Sequence, residues 1–124
     1  MKYKGKIVPA LHSDVVLWAH RAARERVSLK DARNTTWYWA PGLGCAGLMA
    51  MKGKARIKGV YVVKDHRGEG IGTALIDRLE AEAVKLEGAA KIEVYAHNPS
   101  FYEARGYAVV GANQFGVPLL RRDL

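Results

Sequence analysis

The sequence predicts a mixed α/β fold built on one sheet, and three observations carry that expectation. A strand, a glycine-rich turn and an amphipathic helix follow one another between Gly59 and Gly88. Three β-rich segments separated by Pro41-Gly42 and Lys52-Gly53-Lys54 read as a meander with tight turns, and the last of them is the strand that enters the glycine-rich turn. After the amphipathic helix come a strand, a short helix and a closing pair of strands. The resulting order, β-α-β-β-β-α-β-α-β-β, gives six to seven strands in 124 residues, a length that fits one domain spanning 1–124 with a real core.

The elements follow in order. Residues 3–8 read as a first strand, ended by Pro9. Ser13 or Asp14 is placed to cap a helix running to about Val27. Leu11, Val15, Trp18 and Ala22 line one side of it, and His20, Arg21, Arg24 and Glu25 face water. Ser28 to Asn34 is polar, with room for a second helical turn. Thr35 to Trp39 is a strand by composition, with Trp37 and Trp39 on one face and Tyr38 on the other. Leu43–Met51 and Ala55–Val63 complete the meander. Ile71, Leu75, Ile76, Leu79, Ala83 and Leu86 then recur at helical spacing, opposite Asp77, Arg78, Glu80, Glu82 and Lys85. Lys91–Ala96 is a strand broken by His97-Asn98-Pro99-Ser100. A short helix around Phe101–Ala104 follows, and Tyr107–Val110 pairs with Val117–Leu120.

Composition narrows the function classes. No run of about 18 apolar residues exists, so no helical membrane span and no membrane partner are expected. The N-terminal lysines precede no apolar core of signal-peptide length. A single cysteine, Cys45, excludes an internal disulfide, argues against a thiolate metal site, and fits a reducing cytoplasmic setting. The net charge of +8 points to anionic partners or simply to solvated faces, and no aromatic-interleaved RNA-binding motif accompanies it.

The glycine-rich turn carries the chemistry. Closely spaced glycines admit a ligand to the backbone, and the first N–H groups of a helix lack intrahelical partners. With the dipole favouring negative charge, such a turn is a ready phosphate site, and Arg67 adds a permanent cation. A P-loop is excluded because Gly70-Ile71-Gly72-Thr73 has no lysine. A dinucleotide fingerprint is excluded because its third glycine would fall on Thr73 or Leu75.

What remains, Arg67-x-x-Gly70-x-Gly72 within HRGEGIGTALIDRLEAEA, resembles the acetyl-CoA pyrophosphate loop of the GNAT superfamily of N-acetyltransferases. Val60-Tyr61-Val62 resembles that family's splayed central strand, and Phe101-Tyr102-Glu103-Ala104-Arg105-Gly106-Tyr107 its closing motif. The resemblance is strong from Gly59 to Tyr107 and topological elsewhere. It implies a twisted, mostly antiparallel sheet with helices on both faces, and a splayed central strand that binds acetyl-CoA. It also implies direct transfer of the acetyl group to a primary amine in a ternary complex. By the same resemblance, Arg67, Gly68, Glu69, Gly70, Ile71, Gly72 and Thr73 hold the pyrophosphate, and Val60 and Val62 the pantetheine arm. Tyr102 protonates the departing sulfur, and Asn98 contacts the pantetheine or orders its loop. No metal is implied.

The general base is less clear from the residues. Family members often carry a glutamate on the central strand, where this chain has Arg56-Ile57-Lys58-Gly59. Water, His97 or Glu93 are the remaining choices; His97 has a suitable ordinary pKa, and Glu93 would need its pKa raised by burial. Asn98 and Tyr102 are closer together than in the family pattern. The helical region after the first strand is short, which leaves an open acceptor pocket or one completed by a second subunit in a homodimer. The acceptor amine is not legible. An enzyme acting on a nucleic-acid base or aminoacyl-tRNA, and a non-catalytic acyl-CoA-binding module, are the alternatives.

Overall fold

The computed structural model describes residues 2–124. Seven strands form one sheet: β1 (Val8–Ala10), β2 (Thr35–Ala40), β3 (Gly44–Met51), β4 (Lys54–Val62), β5 (Lys91–Tyr95), β6 (Ala108–Ala112) and β7 (Pro118–Asp123). Their spatial order is β1-β2-β3-β4-β5-β7-β6. All neighbours run antiparallel except β4 and β5. The helices are α1 (His12–Val15), α2 (Ala19–Arg24), α3 (Ile71–Val84) and α4 (Ser100–Glu103). The element order anticipated from the sequence is thus observed, with the first helix divided by a 3₁₀ turn at Val16–Trp18.

The sheet is covered on both faces because its strands alternate apolar residues to both sides. On one face Tyr38, Ala40, Leu48, Ala55, Ile57, Ile92, Val94 and Leu120 meet Ile71, Leu75, Ile76, Leu79 and Ala83 of α3. On the other, Trp37, Cys45 and Tyr61 meet Val15, Ala22 and Leu29. Trp37 and Trp39 do lie opposite Tyr38, as period two requires. Trp18 reaches down to Trp39 and Tyr61, at ring-centroid distances of 6.2 and 6.0 Å.

Several boundaries depart from the sequence reading. Pro9 lies inside β1, opposite Tyr38, because β1 is an edge strand whose outward side needs no N–H donor. Leu11 is exposed rather than core; it is the cap residue of α1, and its N–H donates to Asp14 Oδ2 at 2.8 Å. The helical region stops at Arg24, because Arg26 turns left-handed with φ of 63°. Ser28 to Ala32 is irregular instead of helical. Leu29 is buried there and anchors the segment, while its carbonyl takes His12 Nε2 at 2.6 Å. Strand β5 ends at Tyr95, one residue before the expected Ala96.

One irregularity shapes the molecule. Between β3 and β4 the register passes from Cys45↔Tyr61 to Gly47↔Lys58, so β4 carries one extra residue. This is a β-bulge, which bends its strand and increases the local twist. Gly59 supplies the left-handed conformation, at φ of 61°, and faces the Trp37 indole. Beyond this point β4 leaves β5. Their parallel pairing covers only Lys54–Ile57 against Lys91–Val94.

Gly59→Ala would set a methyl 2.7 Å from the Trp37 ring at a left-handed φ. It should lower the unfolding free energy by ~2–4 kcal/mol in urea denaturation, combining strain and overpacking. Gly53→Ala, also left-handed but facing open space, should cost only about 1 kcal/mol. Equal losses would mean that the Trp37 contact does not hold the bulge.

Candidate functional site

The departure of β4 from β5 opens a cleft, and α3 begins at its end. After β4, a 3₁₀ turn at Lys64–His66 and the glycines deliver the chain into that helix. Gly68 and Gly70 are left-handed, at φ of 81° and 83°. Gly70 is the N-cap, and its carbonyl accepts the Ala74 N–H at 3.0 Å. No side chain caps this end and no acidic residue sits in the first turn. The backbone N–H groups from Gly68 through Thr73 have no acceptor among the described residues. A Cβ at Gly68 or Gly72 would meet nothing within 4 Å. Unpaired donors with open space before them form a concave anion cradle at the positive end of a helix dipole.

A 500 Å³ cleft lies against this loop, lined by Val60, Tyr61, Val62, Arg67, Gly68, Gly70, Ile71, Gly72 and Thr73, with Glu25, Val27, His66 and Phe101. A second cleft of 530 Å³ continues from it between β4 and β5. The two share Glu25, Val27, Val60, Gly72 and Phe101. The second reaches His97, Asn98 and Tyr102 on one side and Arg56 and Lys58 on the other. Most of the residues singled out in the sequence therefore line one continuous channel. Glu93 lines neither cleft, and Glu69 turns its carboxylate to His66 Nδ1 at 3.3 Å.

Arg67 is committed in a way its neighbours in sequence did not reveal. Its Nε donates to the Val62 carbonyl at 2.9 Å, and its Nη2 to Glu25 Oε2 at 2.8 Å. Its guanidinium also stands 5.6 Å from the Tyr61 ring centroid. Glu25 closes the C-terminal end of α2, and the Arg67 hydrogen bond holds its carboxyl below the usual carboxylate range. Glu25, Val27, Arg26 and Lys58 are among the lining residues that the sequence reading did not place in the site. The periodicity that made Glu25 a solvent residue was correct about its exposure, and nothing local announced a partner 42 positions away.

The titratable residues sort by environment. Tyr102 is buried at 8% exposure, with its ring edge-on to Phe101 and Tyr107 at 5.0 and 5.5 Å. Burial pushes its phenol up to about 12, so it stays protonated throughout the physiological range. Cys45 is likewise pushed up to about 12 by burial and is no nucleophile. Asn98 Oδ1 accepts the Ser100 hydroxyl at 2.8 Å and so orders the turn into α4. His97 is exposed at the rim.

Glu93 corrects an expectation. Serving as a base would require its pKa to rise, and burial alone pushes it that way. Arg121, Arg56 and Lys54 outweigh the burial and lower it to about 2. Arg56 Nε donates to Oε1 at 3.0 Å, Arg121 Nη2 to Oε2 at 2.8 Å, and Lys54 Nζ stands 3.2 Å from Oε1. Glu93 is the charged residue that is fully buried, and it ties β4, β5 and β7 together.

The chain matches the family model described as an acetyltransferase (GNAT) domain over residues 11–117. Among solved structures it resembles a candidate acyl-CoA N-acyltransferase from Klebsiella pneumoniae, with TM-score 0.79 and 17% identity over 98% of both chains. It resembles Ard1 from Thermoplasma volcanium, with TM-score 0.74 and 14% identity over 98% of this chain and 99% of that one. It also resembles N-acetylglutamate synthase from Neisseria gonorrhoeae, complexed with coenzyme A and N-acetyl-glutamate. There the TM-score is 0.78 and the identity 15%, over 100% of this chain and 36% of the other. At these identities the likeness is one of fold. No curated protein sequence gives a significant match.

Because the folded pKa of Glu93 lies below its ordinary 4.5, its ion pairs stabilise the fold above pH 4.5. That contribution is lost as pH falls toward 2, by at most ~3 kcal/mol. Glu93→Gln should therefore be less stable than wild type at pH 7, and the gap should shrink as pH falls below 4.5 and nearly vanish only at about pH 2 in denaturant titrations. A gap independent of pH would show that the carboxylate's charge is not what joins the strands.

Proposed function

The chain belongs to the GNAT acetyltransferase family, and from that premise we propose that it is an acetyl-CoA-dependent N-acetyltransferase acting on a primary amine. Residues 1–124 form one such domain in this reading. The observation that carries it is the run of unpaired N–H groups from Gly68 to Thr73, set where β4 parts from β5.

The residues fit coenzyme A. The cradle at the start of α3 suits a pyrophosphate through backbone donors of Gly68, Glu69, Gly70, Ile71, Gly72 and Thr73. Arg67 stands at its mouth as a cation. The edge of β4 from Lys58 to Val62 has no β5 partner, which leaves backbone groups around Val60 and Val62 to align an extended arm. The Val62 carbonyl is already occupied by Arg67, so its N–H is the group assigned to that arm. Acetyl-CoA supplies the acetyl group as a thioester, whose C–S bond breaks as the amine nitrogen forms the new C–N bond.

Tyr102 contributes a neutral phenol to the wall of the second cleft. At a pKa of about 12 it donates a hydrogen bond without ionising, which suits stabilisation of charge building on sulfur. The proton lost by nitrogen balances the one gained by sulfur, and His97 at the rim or solvent carries it between them. Glu93 is assigned a structural role, because a carboxylate locked by three cations accepts no proton near neutrality. Asn98 positions α4, and through it Tyr102. We place the reaction in the cytoplasm, in keeping with the single reduced and buried Cys45. Homodimerisation belongs to the same proposal: the helical segment before β2 ends at Arg24, and a second copy would complete the acceptor wall.

Two substitutions test this reading. Gly72→Ala puts a methyl into open space on a helix. It should raise or preserve thermal stability, since alanine favours helix by about 1 kcal/mol, yet weaken CoA binding in calorimetric titration by tenfold or more. Undiminished affinity would remove the cradle from the assignment. Tyr102→Phe should lower kcat by ~10²-fold with CoA affinity nearly intact. CoA binding without turnover on any amine by wild type would instead favour a non-catalytic binding module.

A further inference from the structure

The far side of the channel is cationic, and its charges are poorly balanced. Arg26, Arg56 and Lys58 line the cleft between β4 and β5, and Glu25 is the one carboxylate lining it. Both oxygens of Glu25 are engaged by Arg67. Arg56 shares Glu93 with Arg121 and Lys54, three cations on one buried carboxylate. Lys58 donates to a neutral acceptor, the Lys30 carbonyl at 2.7 Å. Asp31, the acidic group that acts on Lys58, already accepts from Trp37 Nε1 at 3.0 Å. The Arg26 guanidinium has no hydrogen-bond or ion-pair partner among the described residues.

Arg26 also occupies an unfavourable place. The Arg26 N–H donates to the Ala23 carbonyl at 3.0 Å and the Val27 N–H to the Ala22 carbonyl at 2.9 Å. This is the bonding pattern of a Schellman motif, in which Arg26 holds the left-handed position with φ of 63°. Glycine adopts that conformation at little cost, and a side chain there adds strain. The strained residue is an unpaired arginine at the cleft wall, which points to use of its charge.

From this arrangement, and resting on the acetyl-transfer reading, we infer that the acceptor is a small primary amine that also carries a carboxylate or phosphate. Arg26 and Lys58 hold the anionic group, and Arg56 adds to the positive field. The cleft volume of 530 Å³ is of small-molecule size. The same field bears on the missing base. Nearby cations lower the pKa of an amine, because like charge disfavours its protonated form. The acceptor is thereby delivered as the nucleophilic free base with no carboxylate on β4 to deprotonate it. A polyamine, with several positive charges and no anion, is repelled by the same surface.

The test is a thiol-release assay on matched amines: α-amino acids against their amides, and amino-sugar phosphates against the unphosphorylated sugars. The anionic member of at least one pair should show kcat/KM about tenfold or more above its neutral partner, the scale of a charged hydrogen bond. The two sets separate carboxylate from phosphate. Arg26→Gly should keep or raise the melting temperature while that ratio collapses toward one, a split that a structural role would not produce. Calorimetric titration of the CoA-saturated protein with the same pairs reads the charge preference without turnover. Failure of all amines to react would thus count against acetyl transfer while the preference is still measured. Equal or better use of neutral amines, an unchanged ratio in Arg26→Gly, or steeply salt-dependent competition by tRNA or single-stranded DNA would each overturn the proposal.

Discussion

The structure depends on how one indole is seated. Trp37 lies across β3 and β4 where both strands carry glycine. A Cβ at Gly47 would stand 3.2 Å from its ring, and one at Gly59 2.7 Å. The ring is held from the other side by Asp31 on Nε1, by Lys58 at 5.8 Å and by His12 at 5.6 Å. Space for the indole thus coincides with the extra residue in β4. A bulge there turns the strand out of register with β5, and every later feature of the channel inherits that turn. A flat, fully paired β4 would offer no free edge, and α3 would start against a closed sheet.

The two ends of β4 do opposite work. At its beginning, Arg56 is joined to Glu93, and Glu93 to Arg121, so three strands are locked by buried charge. A carboxylate that has lost its water needs such partners, since removing any of them leaves an uncompensated charge. At its end, beyond Gly59, β4 makes no bond to β5 and passes into left-handed glycines. Rigidity upstream fixes the angle at which the strands separate downstream. This is the arrangement in which a mobile ligand arm can replace a missing strand without disturbing the rest of the sheet.

Legibility in the sequence followed distance along the chain. The loop and α3 were readable because their information is local: glycine spacing, apolar period and the helix stop all fall within thirty residues. Glu25 was not, because its meaning comes from Arg67, brought to it by the packing of Trp18 and Ala22 with Tyr61. The state of Glu93 was not legible for the same reason. Its isolated burial raises a pKa, while the register of β4 and β7 sets the cations that lower it. Pro9 misled because a proline ends a central strand but sits comfortably at an edge, and sheet order is a tertiary fact. Gly59 was noticed as the start of a motif, while its reason lies in the Trp37 ring above it.

These environments also decide what kind of chemistry the channel supports. Burial is the largest influence on both the Cys45 thiol and the Tyr102 phenol and pushes each up to about 12. Neither ionises near neutrality, so neither serves as a covalent nucleophile or a base. Glu93 ionises readily and is immobilised by cations. Apart from Glu25, which Arg67 engages, the groups that line the channel are mainly donors and fixed positive charges: backbone N–H, a neutral phenol, guanidinium and ammonium. Such a site stabilises negative charge developing on oxygen or sulfur and disfavours a protonated amine. Both effects press in the same direction for an amine attacking an acyl thioester. The absence of a carboxylate on β4 then reads as part of one electrostatic design rather than as a missing component.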